Sequence, residues 1–352
     1  MALVGAAPPS ARPSGFDPRV YALSPGNVAF LRSLGVWSSL PAERISPVHR
    51  MRIFGDDERA LLEFDAYQGG VSELAWIVED AELQGVLWAG LASNAERCER
   101  IEFAPNGALV SFAGGASISA QLVVGADGAH SFVRDAAGIP ARERDYGHAA
   151  LVANFRCERS HANTAYQWFQ GGPVLALLPL PGEHVSMVWS VPLAEAERLA
   201  ALEPHLLAEE VTQASKAVLG ALALASPVRS FPLRHLSARR LVAPRVALVG
   251  DAGHVIHPLA GQGLNLGLQD ARVLAQVLNE REPGRDVGDY RLLRRYERRR
   301  AEPILAMDAV VSALFALYGT QDRLLRRLRN AGLNLTDRLP VLKNILMRQA
   351  MS

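Results

Sequence analysis

Cysteine is scarce. Cys98 and Cys157 are the two among 352 residues, far apart and without a C-x-x-C spacing. That excludes a disulfide framework and argues against a cysteine zinc site, and it fits a reducing compartment. Net charge is just as small. The 37 Lys and Arg stand against 36 Asp and Glu, leaving +1, so no global basic field points to nucleic acid. No basic n-region followed by a long apolar core opens the chain, and no secretory signal is expected. The most apolar late stretch, ILAMDAVVSALFALYG, is interrupted by Asp308 and is too short to span a bilayer comfortably. It reads as a buried or interfacial helix. No internal repeat or low-complexity tract stands out. Also missing is any G-x-G-x-x-G turn opening a helix, the usual pyrophosphate cradle of a dinucleotide fold.

What is present suffices for a sizeable core: hydrophobic residues make up 49% of the chain, enough for one large domain or two intimate ones. NVAFLRSLG predicts a short helix closed by Gly35. VHRMRIF and ALLEFD predict strands around a GDDER turn. SELAWIVEDAELQGVLWAGLA has apolar residues at helical spacing, with Ser72 as N-cap. Three strands of a meander follow, RIEFA, ALVSF and ISAQLVV. From about residue 148 the runs ALVANFR, TAYQWFQ, PVLALLPL and VSMVWSV predict antiparallel strands, and 193 to 222 a helical segment. VALV then returns as a buried strand and LNLGLQDARVLAQVL as a helix, with Leu264, Leu268, Ala271, Leu274, Ala275 and Leu278 on one face. The order is α/β, an antiparallel β insert, and α/β again. One nucleotide-binding domain interrupted by a substrate-facing sheet gives that order.

The stretch GDAGHVIHPLAGQGLNLGLQDA, residues 250 to 271, carries the chemistry. A strand feeding a glycine-rich loop and a helix start is an arrangement that binds anionic groups, because the first helical amides point outward unpaired. Gly261 and Gly263 let a flat ligand approach the backbone. Asp251 can accept hydrogen bonds from a ribitol or ribose hydroxyl, and Pro258 stiffens the entry. His254 and His257 form H-x-x-H, but no suitable third ligand is near and a proline follows, so no metal site is expected. No side-chain nucleophile or other catalytic residue is evident. Trp168 and Trp189 lie on strand-like runs and read as core. The arginines of YRLLRRYERRRAEP and DRLLRRLRN leave two readings open: a solvated helix face, or a surface that meets anionic lipid or an acidic partner.

The run HPLAGQGLNLGLQD resembles the second flavin-binding motif of FAD-dependent aromatic monooxygenases, in particular the ubiquinone-biosynthesis hydroxylase family. LVVGADGAHSFVRDAAGI is similar to the family's Asp-Gly motif, carried by Asp127, Gly128, Ser131 and Arg134. FDPRVYALSPGNVAFLRSLGVW resembles the segment after the second strand, with Arg19 at the flavin-contacting arginine. TAYQWFQGGPVLALLPLPGEHVSMVW resembles the substrate-side sheet, and GLNLTDRLPVLKNILMRQAM the C-terminal tail. The match runs in order along nearly the whole chain. It implies a para-hydroxybenzoate-hydroxylase-like fold: an FAD-binding Rossmann-like domain over 1–147 and 228–295, a β substrate domain over 148–227 and a helical region over 296–352. It implies FAD, NAD(P)H as co-substrate, and O2 delivered to an electron-rich ring, with the amides of Leu264 and Asn265 facing the flavin's pyrimidine edge. The expected substrate is a polyprenylated phenol, and the expected location is cytoplasmic, peripheral at the inner face of the membrane or in a quinone-biosynthesis complex. A flavin hydroxylase for a soluble aromatic compound is the other enzyme reading.

The sequence departs from the family at its start. MALVGAAPPS resembles the second strand, and Gly5 stands where an acidic, ribose-binding residue belongs. Three accounts stay open: a recorded start that lies too late, by roughly thirty residues, a remnant that no longer binds FAD, or a cofactor-free accessory protein.

Overall fold

The structure, a computed structural model, describes residues 1–5, 15–55, 60–91, 93–94, 96–257 and 262–319. Among these, seven α-helices follow one another: α1 (Pro25–Ser33), α2 (Asp80–Ala89), α3 (Phe132–Ala136), α4 (Leu193–Ala200), α5 (Pro204–Ala214), α6 (Gly263–Asn279) and α7 (Tyr290–Gly319). Two compact units divide the chain. One comprises Met1–Pro8, Trp88–Tyr146 and Arg234–Ser312, the other Pro9–Leu87, Gly147–Leu233 and Ala313–Ser352. Residues 9–87, expected with the FAD-binding domain, cluster instead with the sheet.

In the first unit the meander forms from Cys98–Ala104, Gly107–Phe112 and Ser117–Ala120, all antiparallel. The expected third run splits after Ala120. Its last part, Val123–Gly125, leaves the meander and pairs parallel with Val246–Leu248, a strand buried on both sides. Leu3–Val4 pairs parallel with Ser93–Asn94. Leu241, Val242 and Ala247 pack against Leu274 and Val277 of α6 and Leu292, Leu293 and Tyr296 of α7. The buried side of α6 differs from the expected stripe. Ala271 and Ala275 are exposed, while Asn265, Leu266, Asp270, Leu274 and Val277 are buried. Apolar spacing misplaced that face because two of its members are polar and are satisfied inside. Helix α7 starts at Tyr290, ahead of the expected boundary at 296, and takes in the late apolar stretch.

In the second unit a sheet runs Leu61–Asp65, Arg50–Phe54, Thr164–Phe169, Val174–Leu180, His184–Pro192 and the part of Ala141–Cys157 from Gly147 onward. Arg50–Phe54 and Thr164–Phe169 are parallel and the other neighbours antiparallel. Side chains alternate across it. Leu151, Ala153, Phe155, Tyr166, Trp168, Leu175, Leu177, Met187 and Trp189 pack on one side against Leu199 of α4 and Leu207 and Val211 of α5. Trp168 stacks between Phe54, with centroids 5.4 Å apart, and Tyr166 at 5.8 Å. Both tryptophans are therefore core.

Helix α1 begins at Ser24, whose hydroxyl accepts from the Asn27 amide, and Gly35 follows it with φ +75°. The helix expected from Ser72 starts later. Ala75–Glu79 is a strand, paired antiparallel with Val20–Leu23 and Ser46–Val48, and α2 runs only from Asp80. Trp76, Ile77 and Val78 are strong strand formers, and their apolar positions mimic a helical stripe. The GDDER turn and the C-terminal tail lie largely outside the described residues.

Candidate FAD site

The site is built on a buried strand that stops abruptly. After Val246–Leu248 the chain turns at Gly250, with φ +59°, and makes one 3-10 turn, Gly250–Ala252. A side chain at Gly250 would be strained in this left-handed region. The turn also lies close against α6. A Cβ placed on Gly267 would come within 3.3 Å of the Gly250 Cα, a close contact that the turn would have to yield to by a few tenths of an ångström.

One carboxylate fixes the arrangement. Asp270 of α6 is wholly buried. Its Oδ2 accepts from the Gly250 amide at 2.9 Å and from His254 Nε2 at 2.6 Å, and its Oδ1 accepts from Arg300 Nε at 2.6 Å. Arg300 Nη2 also donates to the Leu266 carbonyl, and Nη1 to Gln269. His254 is thus spoken for by a carboxylate, and His257 stands edge-on to Tyr146 at 4.8 Å. Tyr296 donates from its hydroxyl to the Leu248 carbonyl, and burial pushes its pKa well above the usual phenol value.

Asp251 sits exposed on this fixed turn. Helix α6 starts nearby at Gly263, with Gln262 as N-cap, whose own side chain makes no cap hydrogen bond. Its first internal hydrogen bond is Leu266 N–H to the Gln262 carbonyl. A Cβ on Gly263 would meet nothing within 4 Å. Among the described residues, the start of α6 is a helix N-terminus with its partial positive charge, and the space at Gly263 is open. Pro258 and Gly261 lie outside the described residues.

The Asp127–Arg134 segment belongs to the same unit. Asp127 accepts from the Ser131 hydroxyl at 2.5 Å and the Val133 amide at 3.0 Å, and Ser131 caps α3 by accepting from the Arg134 amide. The Arg134 guanidinium is buried and donates to the carbonyls of Ala129 and Ala252. It ties this segment to the Gly250–Ala252 turn, and little of it is left exposed for a ligand. Gly128, at φ +80° with open space around its missing Cβ, turns the chain there. His130 is exposed, 3.3 Å from Arg234.

Arg19 belongs to the second unit. Its side chain is half-exposed, 3.8 Å from the Asp80 carboxylate, and its guanidinium lies over the rings of Tyr21 and Phe231. A chain of buried polar groups sets its backbone. The Arg19 amide donates to Asp17, whose carboxylate also caps the start of α2 at Ala81. The Asp17 amide donates to Glu79 at 2.5 Å, and Arg44 donates to the same oxygen at 2.7 Å. Burial pushes the Glu79 carboxyl above its ordinary value, although the Asp17 and Arg44 contacts oppose this. Motif reading gave no role to Glu79, Asp270 or Arg300. The QD that follows the glycines was the available signal for Asp270.

The FAD binding domain family model matches residues 16–310. The chain belongs to the FAD-dependent aromatic monooxygenases. It is 33% identical over 349 residues to the 3-demethoxyubiquinol 3-hydroxylase of Escherichia coli, covering 95% of this chain and 87% of that protein. It is 32% identical to the ubiquinone hydroxylase UbiL of Rhodospirillum rubrum, covering 96% and 80%. In fold it is similar to PqsL of Pseudomonas aeruginosa, with TM-score 0.74, 23% identity and 95% and 92% covered. It is also similar to HpxO of Klebsiella pneumoniae, solved with FAD and uric acid, with TM-score 0.73, 22% identity and 94% and 87% covered. Among the described residues, the Asp251 turn and the glycine-started α6 would fit the ring end of FAD. Among the same residues, the α6 start has open space at Gly263, and Asp251 is exposed on a turn that Asp270 holds. The G-x-G-x-x-G loop is not in the sequence, and Gly5, exposed with φ +89°, follows Leu3–Val4.

Proposed function

We propose that this chain hydroxylates a polyprenylated phenol of ubiquinone biosynthesis and does so at the inner face of a membrane. The relatives named as ubiquinone-biosynthesis hydroxylases support the substrate class. FAD, when bound, supplies the redox chemistry between NAD(P)H, O2 and the ring. The chain's own residues orient and shield. Asp251 would accept a ribityl hydroxyl, and the Leu264 and Asn265 amides would donate to the pyrimidine edge, where the helix start favours negative charge by about 0.3–2 kcal/mol. The observation that carries this reading is the α6 start beside open space, fixed by Asp270 to the turn that bears Asp251.

The second unit's sheet supplies a fitting face for the ring. Opposite the α4 and α5 side, one cross-strand row joins Ile53, Gln167, Ala176, Val188 and Val152. Ile53, Ala176 and Val188 are half-buried, which leaves an apolar strip with one amide in it. Such a lining grips an aromatic ring and places few polar groups around it.

The test is purification of the chain as given, with its visible spectrum recorded before and after addition of FAD. Flavin bands, together with NAD(P)H-dependent gain of one oxygen by a prenylated phenol, support the proposal. A protein that stays colourless overturns it for this chain and favours the accessory reading. Hydroxylation of a short soluble phenol in preference to a prenylated one moves the substrate to the soluble class.

A further inference from the structure

Helix α7 carries Arg291, Arg294, Arg295 and Arg298 in its first turns. Spacings of three, four and seven residues put them on one face. Arg285 from the preceding loop and Tyr290 at the helix start complete the lining of a basin of about 360 Å³. The opposite face of the helix is fixed, because Leu292, Leu293 and Tyr296 are fully buried. The stripe therefore cannot turn inward.

Carboxylates brace part of this cluster. Glu282 pairs with Arg285 at 3.0 Å and with Arg295, Asp289 pairs with Arg285 at 3.5 Å, and Glu297 pairs with Arg294. Arg295 and the other hydrogen bonds to it hold the Glu282 carboxyl down to about 2, so it stays ionised. Five guanidiniums thus face three carboxylates. Arg291 and Arg298, both exposed, make no ion pair among the described residues. Nothing in the packing of α7 needs them there.

We propose that this basin binds a phosphate-bearing anion, gripped by Arg291 and Arg298 and by the remaining N–H groups of Arg294 and Arg295. The guanidinium fork matches phosphate oxygens, and a bound dianion relieves the mutual repulsion of neighbouring arginines. The volume exceeds one phosphate and admits a diphosphate or a lipid headgroup. Two turns beyond Arg298 the side chain of Leu305 is 65% exposed. A lipid surface would cover it and a free phosphate would not.

The experiment uses the full chain in two arms. In one, inorganic pyrophosphate is titrated calorimetrically. In the other, the protein is sedimented with vesicles of phosphatidylglycerol and phosphatidylcholine, or of phosphatidylcholine alone. Each arm is repeated with Arg291→Gln/Arg298→Gln, whose folding is checked by circular dichroism, and with Arg291→Lys/Arg298→Lys. Binding in either arm, weakened about tenfold or more by the glutamines and less by the lysines, is expected. The arm in which it occurs names the source of the phosphate. Leu305→Ser weakens only the vesicle arm. No binding in both arms, equal binding to neutral vesicles, or equal binding by the glutamine variant overturns the proposal. Neither arm measures turnover, so it stands or falls apart from the hydroxylase reading.

Discussion

Asp270 receives three donors in a place that water does not reach, and that makes it the residue on which the first unit depends most. Asp270→Asn keeps the shape but leaves Arg300 buried without its counter-charge. Breaking such a pair costs about 3–5 kcal/mol. A fall in stability of that size, measured by urea unfolding, is expected, and a change below about 1 kcal/mol would mean that Arg300 finds another partner. Glu79 makes a different prediction. Burial raises its carboxyl above the ordinary 4.5, so the folded chain keeps a proton that the unfolded chain releases. Its contribution to stability is fully present below pH 4.5 and is lost as pH rises through the raised value. Glu79→Gln removes that titration and keeps an acceptor for the Asp17 amide. The slope of stability against pH just above 4.5 should flatten in the variant. An unchanged slope would place the titration elsewhere.

Between elements, the Gly250 turn and α6 approach closely. Gly267→Ala puts a methyl group 3.3 Å from the Gly250 Cα, so the turn must shift by a few tenths of an ångström, while alanine raises helix propensity by about 1 kcal/mol. Because the turn carries Asp251, the shift should lower flavin occupancy at limiting FAD. Full occupancy would separate the packing from the site. This level also shows what a sequence can and cannot reveal. The strands around Arg50–Phe54 and from residue 149 onward were legible because alternation and turn residues agree there. The spacing after Ser72 places the start of α2 seven residues too early, since Trp76, Ile77 and Val78 fit a helical stripe as well as a strand. The buried face of α6 was misread because Asn265 and Asp270 count as polar in any pattern, and only three-dimensional partners justify their burial. Within the site, Asp251 and the glycines announce themselves through local geometry. Arg300 lies thirty residues from Asp270, and no spacing rule connects them.

Across the molecule, the two units hold separate apolar cores, one around Trp168 and Met187, the other around Leu292 and Tyr296. Trp168→Ala removes the middle ring of the Phe54, Trp168 and Tyr166 stack, at about 3–5 kcal/mol, without touching any group of the candidate flavin site. Asp251 belongs to that site. It lies exposed on its turn, and a charge-assisted hydrogen bond to a cofactor hydroxyl contributes about 1.5–3 kcal/mol, or one to two decades in affinity. FAD at one hundred times its Kd stabilises whatever binds it by about 2.7 kcal/mol. Thermal denaturation against FAD concentration therefore distinguishes the two substitutions. Trp168→Ala should lower the midpoint at every FAD concentration and leave the apparent Kd in place. Asp251→Ala should shift the FAD response to ten- to hundredfold higher concentration, whatever its FAD-free midpoint. If Asp251→Ala leaves the response where it was, the hydroxyl contact belongs to another residue and the turn after Val246–Leu248 is not where the cofactor is held.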